Sequence, residues 1–121
     1  MRQAFAFALL ILVACKTQAT KTEKARDELA SWAAAGEMLS SGWARGDAQT
    51  PYVKSTAKVA SNEIDQLRQQ LQSDRESARA LDEVATLYGR LSTAVAQEDR
   101  ASAAQLARPF HEVSERVKPP S

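Results

Sequence analysis

ARDELASWAAAGEMLSSGW, residues 25–43, is the stretch whose reading decides the fold. Ala25, Leu29, Trp32, Gly36, Leu39 and Trp43 recur in it at alternating intervals of four and three. At 3.6 residues per turn that rhythm lays them along one stripe of a helix, whereas a strand would alternate every second residue. The stripe is narrow, as in helices that pack side by side at shallow angles. Gly36 stands inside it and costs about 1 kcal/mol in helix propensity. Close approach of a neighbouring helix is the return that would justify it. Upstream, Thr20 and Glu23 have capping-box spacing and place the helix start. Downstream, Gly42 and Gly46 mark its end.

The same rhythm continues along the chain. Thr50-Pro51 opens a second helix, as an N-cap followed by proline at the first helical position, where its missing N–H costs nothing. Val53, Ala57, Val59/Ala60, Ile64, Leu67 and Leu71 form the stripe of this helix, with Asp65, Arg68, Gln69 and Gln70 on its other face. Beyond Leu71 the frame would bring Asp74 onto the stripe. The apolar set instead restarts at Leu81, Val84, Tyr88, Leu91 and Val95, with a capping-box pair, Ser73 and Glu76, between the frames. This predicts a tight turn near Ser73-Asp74. One long helix with a shifted stripe is the alternative, and it would make the bundle three-helical. A last helix is expected from an Asp99 N-cap, with Ala103, Leu106, Phe110, Val113 and Val117 inward. Pro109 removes a backbone hydrogen bond within it and predicts a kink or break near Leu106 to Arg108. Pro119-Pro120 ends it.

Only 4 glycines and 4 prolines interrupt a chain dominated by good helix formers. No segment shows the alternating β-branched pattern of a strand. The expected fold is therefore all-α, an up-and-down bundle of four amphipathic helices. No 34-residue self-similarity supports a repeat array.

At the N-terminus, Met1-Arg2-Gln3 supplies one basic side chain and Ala4 to Ala14 is unbroken apolar sequence up to Cys15, the only cysteine. The run is about eleven residues, short of the roughly 20 that span a hydrocarbon core. A basic start followed by a short apolar run is the layout of an export signal. Leu12-Val13-Ala14-Cys15 resembles the lipobox of a bacterial lipoprotein, with Leu at −3, a small residue at −1 and Cys at +1. The resemblance covers this segment alone. It implies a cleaved signal peptide over 1–14, a diacylglyceryl group on the Cys15 sulfur, and acylation of the new amine. Two or three acyl chains anchor firmly where one is marginal, at about 0.8 kcal/mol per buried CH₂. Lys16 stands where Asp would favour retention at the inner membrane. The pattern resembles that of lipoproteins sorted to the outer membrane and facing the periplasm. Residues 15–19 then form a linker of at most roughly 18 Å, 20–118 the bundle and 119–121 a tail. The linker holds the bundle near the membrane, where Lys16, Lys21 and Lys24 could each gain about 1 kcal/mol against anionic headgroups.

Charge and chemistry narrow the function classes. The chain has 16 basic and 15 acidic side chains, and Arg2 leaves with the signal. No basic excess points to nucleic acid. Acylation of Cys15 would consume the only thiol, which excludes disulfides and thiolate metal cages. His111 is the only histidine, too few for a His-rich zinc site, and Glu115 one turn on is its expected partner. Arg79 with Asp82 and Glu83, and Glu112 with Arg116, have the spacing of surface ion pairs along one helix.

Small periplasmic haem bundles of the cytochrome b type hold iron between a Met on the first helix and a His on the last. Met38 and His111 occupy those helices here. Counted from Thr20, Met38 lies roughly 27 Å along the first helix, and His111 roughly 9 Å from the end of the last. In antiparallel helices of a four-helix bundle the two heights would miss by nearly 20 Å, which no iron could bridge, whereas a three-helix topology would bring them closer. No nucleophile–base pair, phosphate-binding glycine loop or di-iron Glu-x-x-His motif is present. Trp43 and Tyr52 flank the Gly46 loop as an aromatic corner. Core packing is its default reading, and a partner surface its functional one.

The sequence therefore points to a non-enzymatic, lipid-anchored envelope protein with a binding, accessory or scaffold role. It attaches to the membrane through Cys15 and needs no cofactor. The alternative is a bundle that holds haem, metal or an apolar small molecule between its helices. No residue pattern names a protein partner or an oligomeric state.

Overall fold

A computed structural model describes residues 2–118, with side chains from residue 21 onward. The lipobox and Cys15 lie outside the described side chains, and residues 119–121 outside the description. Four helices follow one another: α1 (Arg2–Arg45), α2 (Thr50–Leu71), α3 (Arg75–Ala96) and α4 (Arg100–Val117). The backbone is helical from Arg2, so α1 does not begin at Thr20 and residues 15–19 belong to the helix. No strand occurs among the described residues. The chain is thus an all-α bundle. The turn at 72–74 separates α2 from α3, so the single-long-helix alternative is not what forms.

Each helix packs on its neighbours in chain order, and α4 closes the ring against α1, which is the most extensive pairing. α1 also reaches α3 across the diagonal, whereas α2 and α4 do not meet. Cross-contacts fix the direction of α4. The Ser114 hydroxyl donates to the Ala30 carbonyl at 3.3 Å, His111 Nδ1 lies 3.0 Å from Glu37 Oε2, and Arg100 donates to the Trp43 carbonyl. As numbers rise on α1 they fall on α4, so the two run antiparallel.

The stripes read from sequence are the core. Leu29, Val53, Ile64, Leu71, Val84, Leu91 and Phe110 are among the side chains fully shielded from solvent. Two positions differ. Trp32 is half-buried and packs at the margin of the core, while Ala33 beside it is fully buried. In the Val59/Ala60 pair, only Ala60 turns inward, and Val59 is an exposed apolar side chain.

At the centre, α1, α3 and α4 lock together. Phe110 of α4 lies over Gly36, where an added Cβ would stand 2.6 Å from the ring Cζ and closer still to Cε1. Phe110 meets the edge of the Tyr88 ring in a T-shaped contact, with centroids 5.0 Å apart and planes at 68°. The Tyr88 hydroxyl then donates to the Trp32 carbonyl on α1. Burial pushes the Tyr88 phenol well above its ordinary pKa, so it stays a donor. The close approach anticipated at Gly36 is therefore real, and Phe110 of α4 is the group that makes it.

Three short turns join the helices, each by its own chemistry. Gly46, at φ 84°, takes the left-handed conformation after α1, and the Asp47 and Ala48 amides both donate to the Gly42 carbonyl. Gln49 rather than Thr50 is the N-cap of α2, one residue earlier than expected. The Thr50 hydroxyl is used elsewhere, as described below. Asp74 caps α3, displacing the Ser73–Glu76 pair: the Ser77 hydroxyl donates to the Asp74 carboxylate at 2.7 Å. Before α4, Glu98 is a non-glycine residue at φ 55°. Asp99 then caps α4 as expected, accepting from the Ser102 amide at 3.0 Å and from its hydroxyl. The break foreseen at Pro109 does not form, and α4 runs unbroken to Val117. Gln105, whose carbonyl loses its donor to Pro109, is exposed, so water can take that bond.

Ion pairs join helices more than they run along them. Arg68 bonds Asp82 at 2.6 Å between α2 and α3, Arg116 bonds Glu83 between α4 and α3, and Arg108 bonds Glu112 at 3.3 Å within α4. The expected Arg79–Asp82/Glu83 and Glu112–Arg116 pairings are thus replaced. The tighter contacts lie across grooves, where two backbones hold the partners close.

Two outcomes follow. Gly36→Ala gains helix propensity but overlaps a ring that Tyr88 prevents from retreating, so a net loss of about 1–3 kcal/mol is expected in urea unfolding. Gly89→Ala, where a Cβ meets nothing within 4 Å, should instead stabilise by about 0.5–1 kcal/mol. Equal signs for the two would contradict this packing.

Hydrogen bonds from Ser77 and Ser102 hold the Asp74 and Asp99 carboxyls below the usual carboxylate range. Their contribution is complete above the unfolded pKa, near 4 (about 3.9), and is lost as pH falls through the lowered folded values. The Asp74→Asn/Asp99→Asn variant should therefore show a flatter fall in Tm below about pH 4 than the parent. An unchanged slope would count against these caps.

Candidate functional site

The aromatic corner forms where the C-terminus of α1 meets the N-termini of α2 and α4. Trp43 is fully buried there, and its indole Nε1 donates to Thr50 Oγ1 at 3.0 Å. The Arg100 guanidinium lies 4.6 Å from the centroid of the Trp43 rings and donates to the Trp43 carbonyl. A cation at the first position of α4 opposes the dipole of its own helix. Here it serves the other helix, satisfying a carbonyl in the last turn of α1 while stacking on the ring. Arg100 had gone unnoticed in the sequence, and that misplaced charge was the signal for it.

Trp43 is therefore held inside, and its partner-surface reading does not survive its burial. Tyr52 differs: it is 62% exposed, and Met38, 74% exposed, stands near it. Both line a groove of about 370 Å³ between α1 and α2, together with Ala35, Leu39 and Thr56. The corner thus divides into a buried indole and an exposed phenol.

His111 is exposed and pairs with Glu37 across the α1–α4 groove, not with Glu115. This also corrects the relative heights of Met38 and His111. Glu37 adjoins Met38 in the chain, so the two candidate ligands stand at nearly the same level and not ~20 Å apart. The estimate failed because α1 extends past the end of α4: Ser114, near that end, lies opposite Ala30, well inside α1. The pair is still no iron site, for another reason. Met38 faces the α2 side of α1 and His111 the α4 side, with Leu39 and Phe110 filling the interior between the helices.

Among the described residues, no three His, Cys, Asp or Glu side chains gather where they could hold a metal ion. None of the described helical segments is long and apolar enough to cross a membrane. Comparison of the chain with protein-family models, with curated proteins and with solved structures yields no match.

Thr50→Val should leave the buried indole N–H without an acceptor and cost about 1–3 kcal/mol in unfolding free energy, whereas Thr50→Ser should be close to neutral. If the valine variant unfolds at the parent's urea midpoint, the Trp43–Thr50 bond does not hold this corner.

Proposed function

We propose that the protein is a lipid-anchored component of a bacterial cell envelope, acting by binding as an accessory or scaffold and carrying out no catalysis. The observation that carries this reading is Leu12-Val13-Ala14-Cys15 placed directly after a basic start and a short apolar run. Acylated at Cys15, the bundle would be tethered close to the membrane through residues 15–19, which are part of α1. Lys16 favours the outer membrane, with the bundle in the periplasm.

The binding role draws support from the groove beside Met38 and Tyr52. It lies toward the end of the bundle away from Lys21, and so away from the proposed anchor. Met and Tyr are enriched at protein contacts because each offers a large apolar surface at modest entropic cost. The competing reading, a haem, metal or apolar ligand between the helices, would need room that Trp43, Tyr88 and Phe110 occupy.

Growth of expressing cells with an alkyne-bearing fatty acid, followed by click labelling, tests the anchor. The parent protein should label and Cys15→Ser should not. Equal labelling of the two, or none of the parent, would remove the basis of the proposal.

A further inference from the structure

A second feature lies at the opposite end of the bundle from the aromatic corner. The beginning of α3 and the middle of α1 meet the end of α4 there, around a cavity of about 340 Å³. Arg26 comes from α1, Arg75 and Arg79 from α3, and Arg116 from α4, over an apolar floor of Ala80 and Val117. Glu76 is the one carboxylate among the lining residues. Glu83 engages Arg116 from outside the cavity, and Asp74 lies close enough to Arg26 to feel its charge. Arg75 and Arg79 make no ion pair or hydrogen bond among the described residues. The Nε of Arg26 is buried and has no acceptor. A buried donor on a cation is costly to leave unpaired, and a cluster of guanidiniums adds mutual repulsion.

We infer that this cavity binds a phosphate group, either a free phosphate ester or the headgroup of an anionic phospholipid. Guanidinium forks match phosphate oxygens two at a time. Donors from Arg26 on α1 and from Arg75 and Arg79 on α3 reach the cavity from two helices, with Arg116, engaged by Glu83, adding positive charge from α4. A ligand oxygen would also give Arg26 Nε the acceptor it lacks. The volume is within the usual range of small-molecule sites and exceeds what a bare phosphate fills, so part of an ester chain can enter over Ala80 and Val117. This inference stands whether or not Cys15 is acylated.

Thermal unfolding of the full chain in uncharged detergent micelles, followed by circular dichroism at constant ionic strength, tests it. One arm adds inorganic phosphate against sodium chloride. The other adds dihexanoyl phosphatidylglycerol against the phosphatidylcholine of the same chain length. We expect Tm to rise by roughly 4 °C or more at ~20 mM ligand in at least one arm. The rise should fall below about 1 °C in Arg75→Gln/Arg79→Gln and persist in Arg90→Gln. Each single substitution should lose part of it, which keeps the test valid if the double variant does not fold. A rise with inorganic phosphate assigns the site to free phosphate esters, and a rise with phosphatidylglycerol alone to a headgroup. No rise in either arm, or a rise that survives the double substitution, would overturn the inference.

Discussion

The contact of Phe110 with Gly36 is the constraint on which the rest of the bundle depends. A helix pair can close to this distance only where one partner has no side chain, and α1 has that gap on its core stripe at Gly36. Phe110 fills it, Tyr88 braces the ring from α3, and the Tyr88 hydroxyl returns to the backbone of α1 at Trp32. Three helices are thus tied at one level by a steric fit, a ring contact and a hydrogen bond. The fit also sets register. With Phe110 opposite Gly36, Ser114 must fall near Ala30 and Arg100 near Trp43, which is where both make their bonds. α2 takes no part in this lock and packs on α1 and α3 only.

From that centre the two ends of the bundle diverge in character. At one end, Trp43, Thr50 and Arg100 satisfy one another, so the end of α1 and the starts of α2 and α4 close over an indole with its donor and carbonyl both engaged. At the other end, four guanidiniums and a single carboxylate line one cavity, and the buried Arg26 Nε has no acceptor. Elsewhere on the surface, Arg45, Arg68 and Arg108 have carboxylate partners, whereas Arg75 and Arg79 in the cluster have none among the described residues. A lone unpartnered polar atom does not distinguish the two ends, since the buried Ser40 hydroxyl near Trp43 also lacks a partner; the gathering of four guanidiniums around one cavity does.

Much of this fold was legible in the sequence because helical stripes report directly on burial. The stripes of α3 and α4 are buried as read, from Leu81 to Val95 and from Ala103 to Val117, and the reframing after Leu71 located the α2–α3 turn without any Gly or Pro to mark it. What periodicity could not supply was the sliding of one helix along another. Counting from helix ends put Met38 far from the level of His111, because α1 is longer than α4 and their ends are not flush. Local spacing misled for charges in the same way: Arg116 has Glu112 one turn away yet bonds Glu83 on another helix. It misled at Thr50 too, whose hydroxyl was read as a cap and instead serves Trp43. Trp43 itself fitted either a core or a surface, and only the arrival of Arg100 from α4 decides for the core. Each miss concerns residues far apart in the chain, where a one-dimensional pattern carries no register.

The functional account rests on Cys15 and on the four residues that end there. If Leu12-Val13-Ala14-Cys15 is processed as its resemblance implies, the folded bundle is a membrane-tethered module, and both of its ends acquire a setting: one beside the lipid surface, the other free to meet a partner. The most direct measurement is the intact mass of the protein extracted by detergent from the envelope of its bacterial host. The account predicts a chain that begins at Cys15 and carries the added mass of a diacylglyceryl group, with or without a third acyl chain. A chain retaining Met1, or one cut elsewhere with an unmodified Cys15 thiol, would contradict it.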